Sequence, residues 1–252
     1  MNIRRQEKPR PGTAPAGGAN ESEAACWVQS MFGRVAHRYD LANHVLSFNI
    51  DRLWRRRTVR RVRDILMTPG ARVLDLCCGT GDLMLALEAE RRAGVFGSDF
   101  CHPMLMHARR KVRQRGFHST VFEADALQLP VADASLDLVT VAFGFRNLAN
   151  YRRGLEEMRR VLRPSGVAAI LEFSQPPNAL FGLLYGFYSH RILPVIGGLL
   201  SGARDAYAYL PDSVSKFPQP AQLAAEMRAS GFAGVEFELM TGGVVALHLG
   251  TA

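Results

Sequence analysis

The 252-residue sequence has only four cysteines, Cys26, Cys77, Cys78 and Cys101, and no two of them form a C-x-x-C pair. None of the seven histidines stands at a zinc-like spacing from them, so neither a zinc site nor a disulfide framework is expected. No metal is assigned, and a reduced, cytosolic protein is the expectation, with the adjacent Cys77 and Cys78 serving as small core hydrophobes. Long apolar runs are also missing. No stretch reaches the roughly 20 uninterrupted apolar residues that span a bilayer. Residues 1–23 are dotted with Arg and Lys, then rich in Pro, Gly and Ala, without the apolar core of a secretory signal; a disordered tail is expected there.

What is present is globular: 48% hydrophobic and 21% charged residues, enough to bury one sizeable core. The formal net charge of +8 invites a nucleic-acid reading, so its location matters. Seven Arg (52, 55, 56, 57, 60, 61 and 63) fall between Arg52 and Arg63 with no acid among them. The rest of the chain is nearly balanced. The excess belongs to one short segment. RNA readers usually add stacking aromatics or a dedicated module beside a basic groove, and Trp54 alone is poor support; no nucleic-acid partner is expected.

Periodicity divides residues 24–252 into one domain with four stretches. Residues 24–70 are helical, with Trp27, Val28, Met31, Phe32 and Val35 at helical spacing and a second helix expected over 51–66, its Arg residues on the broad outer face. Residues 71–175 alternate between strands (72–77, 95–98, 120–123, 136–143 and 167–173) and helices. That rhythm predicts an α/β fold, a parallel sheet covered on both faces. Residues 176–215 are apolar and Gly-rich, and residues 216–252 add a helix and two closing strands.

The central motif is Asp75-Leu-Cys-Cys-Gly79-Thr-Gly81-Asp82, a strand entering a Gly turn and then a helix. Such a turn lets the backbone approach a ligand closely. Met84 stands where a dinucleotide fingerprint needs its third Gly, which argues against a bound pyrophosphate. Asp75 and Asp82 instead suit a cationic ligand with an amino group. Asp99, 20 residues after Gly79, fits a carboxylate accepting both hydroxyls of a ribose. Asp125 and Ala126 offer a carboxylate and a backbone N–H at the edge of an adenine. A nucleoside with a positive, amino-acid-like tail is S-adenosylmethionine. No His–Asp or Ser–His pair announces a base.

These residues, with Leu162-Arg-Pro-Ser-Gly166, resemble the class I S-adenosylmethionine-dependent methyltransferases. More narrowly, the chain is similar to the ubiquinone/menaquinone biosynthesis C-methyltransferase family from about residue 28 to 250. That resemblance rests on Tyr39-Asp40-Leu-Ala-Asn43, Leu53-Trp54-Arg55, Phe143-Gly-Phe-Arg146-Asn147, Leu171-Glu172-Phe173-Ser174 and Thr241-Gly-Gly-Val-Val-Ala-Leu-His248. It implies a Rossmann-like, seven-stranded, mostly parallel sheet with helices on both faces and an N-terminal helical extension. It implies C-methylation of a polyprenylated quinol, demethylmenaquinol first and the ubiquinone-branch benzoquinol second. A methyltransferase for another lipid or phenol is a further alternative.

By position, Asp75, Gly79, Thr80, Gly81, Asp99, Asp125, Ala126 and Ala142 would hold the methyl donor. Ala142 stands where relatives often carry a Ser, which leaves only a backbone contact. Arg146 and Asn147 are the choices for the quinol oxygens, with Tyr39 and His248 as weaker candidates for the proton acceptor. Residues 176–215 would wall a tunnel for the prenyl tail or make a homodimer contact. The Arg52–Arg63 helix would hold the enzyme peripherally on anionic lipid at the inner face of the cytoplasmic membrane.

Overall fold

A computed structural model describes residues 12, 13, 15, 20–201 and 204–252. Most of the expected tail therefore lies outside the described residues. Where it is described it is docked: Thr13 is buried, its N–H donates to the Leu148 carbonyl at 2.8 Å, and its hydroxyl lies 2.6 Å from that of Tyr209.

The first helix, α1 (Glu21–Val35), starts three residues before the apolar periodicity does, because Asn20 caps it. The Asn20 side chain accepts from the Glu23 N–H at 2.9 Å and donates back to the Glu23 carboxylate at 3.0 Å, a reciprocal cap. Then follow α2 (Tyr39–Leu46), α3 (Ile50–Arg61) and α4 (Arg63–Leu66). The single helix expected over 51–66 is thus broken at Val62, whose φ of −106° and ψ of 10° lie outside the helical region.

The sheet is built from β1 (Val73–Leu76), β2 (Phe96–Asp99), β3 (Thr120–Glu123), β4 (Leu136–Ala142), β5 (Leu162–Phe173), β6 (Ala233–Met240) and β7 (Val245–Thr251). Their order is β3-β2-β1-β4-β5-β7-β6; the first five are mutually parallel, and β7 runs antiparallel to both β5 and β6. The sheet is mostly parallel, as expected. The Arg163–Gly166 turn is absorbed into β5 as an irregularity, with Ser165 at a φ of 68°.

Strand alternation distributes the core between two faces. Val73, Leu138, Ala169 and Leu171 pack with α3, α5 (Asp82–Arg91) and α6 (His102–Gln114). Leu74, Val139, Val141 and Ile170 pack with α7 (Tyr151–Val161) and α11 (Pro220–Ala229).

Between β5 and α11 the apolar segment forms α8 (Ala179–Phe187), a π turn (Tyr188–Ile192), α9 (Leu193–Ser201) and α10 (Arg204–Lys216). Ala179–Leu199 is in effect one helical run of 21 residues, long and apolar enough to cross a membrane by length and composition alone. The sequence reading excluded such a span because Tyr188, His190 and Arg191 interrupt it; the helical geometry continues through them.

Candidate active site

The C-terminal ends of β1, β2 and β4 surround a cavity of about 700 Å³. All open α/β sheets place ligands at this edge, where parallel strands stop and helix N-termini begin. Gly79 and Gly81 turn the chain there with φ of 55° and 86°, and Met84, fully buried, packs under Gly81. Asp99 closes β2 with its Oδ2 accepting from the Gly79 N–H and its Oδ1 from the Cys101 N–H, both at 2.9 Å. Burial pushes its carboxyl up to about 6, against the pull of those N–H groups. Each oxygen keeps lone-pair capacity for a hydroxyl donor. Asp125, Ala126 and Ala142 line the same space.

Two acids assigned to the donor's cationic end are placed differently from one another. Asp75 is buried in β1, accepts from the Thr140 hydroxyl at 2.7 Å, and is pushed up to about 7 by burial. Asp82 is half-buried and already ion-paired with Lys111 at 2.7 Å. Burial raises its carboxyl, but Lys111, Arg55 and His44 outweigh that and hold it below the usual range. Thr80 donates to Asp40 at 2.5 Å, and Asp40 pairs with Lys111 at 2.6 Å. Thr80, Asp82, Asp40 and Lys111 therefore form one network at the chamber rim. His44, Asp51 and Asp82 bring ligand-type atoms within 4.8 Å of each other. Their carboxylates already carry Arg55 and Lys111 as counter-charges.

A second, more apolar chamber of about 120 Å³ opens beside the first. Phe32, Tyr39, Arg55 and Phe143 line both. Arg146 lies on its wall, buried, with Nη1 2.7 Å from Glu172 and its guanidinium over the Phe173 ring at 5.2 Å. Burial works against its charge, and Glu172 more than restores it. Asn147 lines the first chamber and accepts from the Tyr209 hydroxyl at 3.0 Å. Burial pushes the Tyr39 phenol up although Arg146 and Arg55 pull it down, which suits a hydrogen-bond donor better than a base.

His248 does not join them. It is buried on β7, with Nε2 2.9 Å from the Pro220 carbonyl and its ring beside Phe237, and it lines neither chamber. Strand alternation turns it toward α11, and burial holds its pKa below the ordinary value. It is a structural histidine.

The sequence reading missed Asp51, His44 and Arg55. It put all the Arg on a solvated face, whereas the Arg55 side chain is 12% exposed and faces the site. It also missed Glu172 as the partner of Arg146. An acid inside the apolar run Leu171-Glu172-Phe173 is the signal for such a pair.

A nucleoside-shaped chamber at the switch edge of a 3-2-1-4-5-7-6 sheet, closed by an acid at the tip of β2, defines a class I S-adenosylmethionine-dependent methyltransferase. Solved structures share that fold: the [4+2]-cyclase SpnF (TM-score 0.66, 16% identity, 96% of this chain and 98% of that one) and an S-adenosylmethionine-dependent methyltransferase from Thermotoga maritima (TM-score 0.59, 20% identity, 88% and 98%). The chain belongs to the ubiE/COQ5 methyltransferase family, which matches residues 18–252. Among its relatives are the demethylmenaquinone methyltransferases of Thermus thermophilus (51% identical, covering 87% of this chain and 99% of that protein) and Deinococcus radiodurans (46%, 88% and 91%). The ubiquinone/menaquinone biosynthesis C-methyltransferase UbiE of Geotalea uraniireducens is 42% identical over 88% of this chain and 95% of its own length.

Proposed function

We propose that this enzyme methylates a ring carbon of a polyprenylated quinol, demethylmenaquinol in the menaquinone branch. The observation that carries the reading is the junction of the two chambers at Tyr39, Arg55 and Phe143, a polar donor site joined to an apolar one. Relatives at 51% and 46% identity bear the demethylmenaquinone name, which favours the naphthoquinol over the benzoquinol. S-adenosylmethionine supplies a methyl group already activated on a sulfonium, so no step in this reading needs a metal. The chain's own work is positioning and charge. Asp99 holds the ribose, Asp125 and Ala126 the adenine edge, and the acid network around Thr80 the cationic end. Arg146, kept charged by Glu172, stabilises negative charge on a quinol oxygen in a site closed to water.

The tail chemistry supports a peripheral position on anionic lipid at the inner face of the cytoplasmic membrane. Leu180, Leu183, Phe187 and Leu199 of α8 and α9 are 71%, 72%, 63% and 80% exposed, and Phe48 beside Tyr188 is 74% exposed. No acid lies between Glu172 and Asp205. The Arg52–Arg63 segment contributes less than its count suggests. Arg55, Arg57, Arg61 and Arg63 pair with Asp51, Glu238, Glu236 and Glu90. Arg52, Arg56 and Arg60, four residues apart on α3, have no ion-pair partner among the described residues and remain for phosphate headgroups. Sedimentation with phosphatidylglycerol vesicles checks this: Leu183→Asp with Leu199→Asp is expected to abolish it. A dimer on light scattering that the same pair dissolves would assign the face to a second copy instead.

The reaction itself is tested with methyl-labelled S-adenosylmethionine and either demethylmenaquinol or the ubiquinone-branch benzoquinol. Label in the naphthoquinol ring carbon is expected. Label in the benzoquinol alone, or in neither, overturns the substrate assignment.

A further inference from the structure

The turn from α2 to α3 runs through left-handed Phe48 and Asn49, with φ of 52° and 59°. It folds Asp51 back onto the end of α2. His44 Nδ1 lies 2.9 Å from Asp51 Oδ2, the Ser47 hydroxyl donates to Asp51 Oδ1 at 2.7 Å, and Arg55 Nη1 pairs with Asp51 Oδ2. Asp51 is 4% exposed, yet it lines the second chamber and is the only carboxylate among the described residues that do. Arg55 lines both chambers with its guanidinium over the Phe143 ring at 5.3 Å. Its Nε–H is buried and has no hydrogen-bond partner in the structure. A buried guanidinium donor without an acceptor is costly, and at the wall of a ligand chamber the missing acceptor is a ligand oxygen.

The other polar groups of this chamber are poor bases. Arg146 is a guanidinium committed to Glu172, and burial pushes the phenols of Tyr39, Tyr185, Tyr188 and Tyr209 upward. We propose that Arg55, Asp51 and His44 are the deprotonation station of the quinol. Arg55 Nε–H donates to a ring oxygen, Asp51 takes that oxygen's proton, and His44 carries it outward. The assignment rests on the quinol reading above.

The step balances as follows in bonds. The quinol O–H bond breaks, a new O–H bond forms on Asp51, and the electron pair left on the ring oxygen delocalises onto the carbon that takes the methyl group. The C–H proton released when the ring regains aromaticity returns to the ring oxygen, so one proton leaves per turnover. Asp51 passes its proton to His44 Nδ1, and the imidazolium so formed turns Nε2–H toward Asp82 Oδ2, 3.7 Å away. The His44 side chain is 21% exposed, which opens the route to solvent. The charges facing it are Asp51 and Arg55 of α3 and Asp82 of α5, the last held by Lys111 of α6, which also holds Asp40 of α2. Asp51 is the catalytic residue here, and His44 is a positioning residue that acts through it.

Two variants and one probe test the station. Asp51→Asn is expected to lower kcat about 100-fold, within the range for loss of a general base. His44→Gln is expected to lower kcat about 10-fold and to remove the fall in kcat toward acid pH, with imidazole restoring the rate. The probe is 1-naphthol, whose phenolate absorption reports its ionisation without any methyl donor. Bound to the wild type it should ionise at lower pH than free, and in Arg55→Gln at least about one pH unit higher than in the wild type. Unchanged naphthol ionisation in Arg55→Gln, or an unchanged acid limb in His44→Gln, overturns the proposal, and so does Asp51→Asn turning over within twofold of the wild type. Should Asp51→Asn fail to fold, His44→Gln and the naphthol titration decide. A wild type that methylates no quinol contradicts the substrate reading, while the naphthol titration still reads the station.

Discussion

The two chambers are built by different parts of the chain, and their energetics differ accordingly. The donor chamber stands on the ends of β1, β2 and β4, and its key contacts are backbone ones: Asp99 is fixed by the N–H groups of Gly79 and Cys101. The quinol chamber is walled by helices from both sides of the core, α1–α3 and α8–α10, and its polar atoms are held by side-chain pairs such as Arg146–Glu172 and Arg55–Asp51. A strand end tolerates little adjustment, whereas packed helices shift against one another. One chamber recognises a ligand of fixed shape. The other admits a ring on a long hydrocarbon tail.

The largest effect should come from breaking the donor chamber alone. Asp99→Ala removes a carboxylate that accepts charge-assisted hydrogen bonds, worth about 1.5–3 kcal/mol each. S-adenosylmethionine affinity by calorimetry should fall at least about 100-fold, with naphthol binding unchanged. Arg146→Met breaks the other side. It should lower kcat by about 10²–10³ and leave donor affinity unaltered. It also strands a buried Glu172, at a cost of about 3–5 kcal/mol. Adding Glu172→Gln should restore the melting temperature and not the rate, which separates charge at the oxygen from packing.

A smaller effect concerns Asp75. Burial raises its folded pKa from 3.8 to about 7, so the native state holds a proton that the unfolded chain has lost. Stability from this group is present at low pH and is lost as pH rises from about 4 to 7. Denaturant unfolding across that window should show the wild type losing stability relative to Asp75→Asn, which has no proton to release. Equal slopes would place the acid in water. The smallest effect is expected from His248→Gln, with kcat within twofold and stability changed by about 1 kcal/mol, the scale of one hydrogen bond.

Sequence legibility follows the same division. Asp75, Gly79, Asp99 and Asp125 could be found because strand ends and Gly turns leave local signatures of fixed spacing. The quinol side was legible only at Phe143-Gly-Phe-Arg146-Asn147, through resemblance. His44 and Asp51 are seven residues apart and meet only because Phe48 and Asn49 take left-handed conformations, which no apolar period announces. Arg55 was assigned to water because a helical stripe cannot show that α3 packs with one Arg turned inward. His248 was misplaced for the opposite reason: its motif is specific to the family, while its side chain serves the contact between β7 and α11.

The account turns on the two chambers meeting at Tyr39, Arg55 and Phe143. A crystal structure with S-adenosylhomocysteine and a short-chain naphthoquinol tests that most directly. The nucleoside should lie on Asp99, and the quinol ring should lie between Arg55 and Arg146 with an oxygen at Arg55 Nε. A quinol ring bound outside the second chamber, with Arg55 Nε still unpaired, would contradict it.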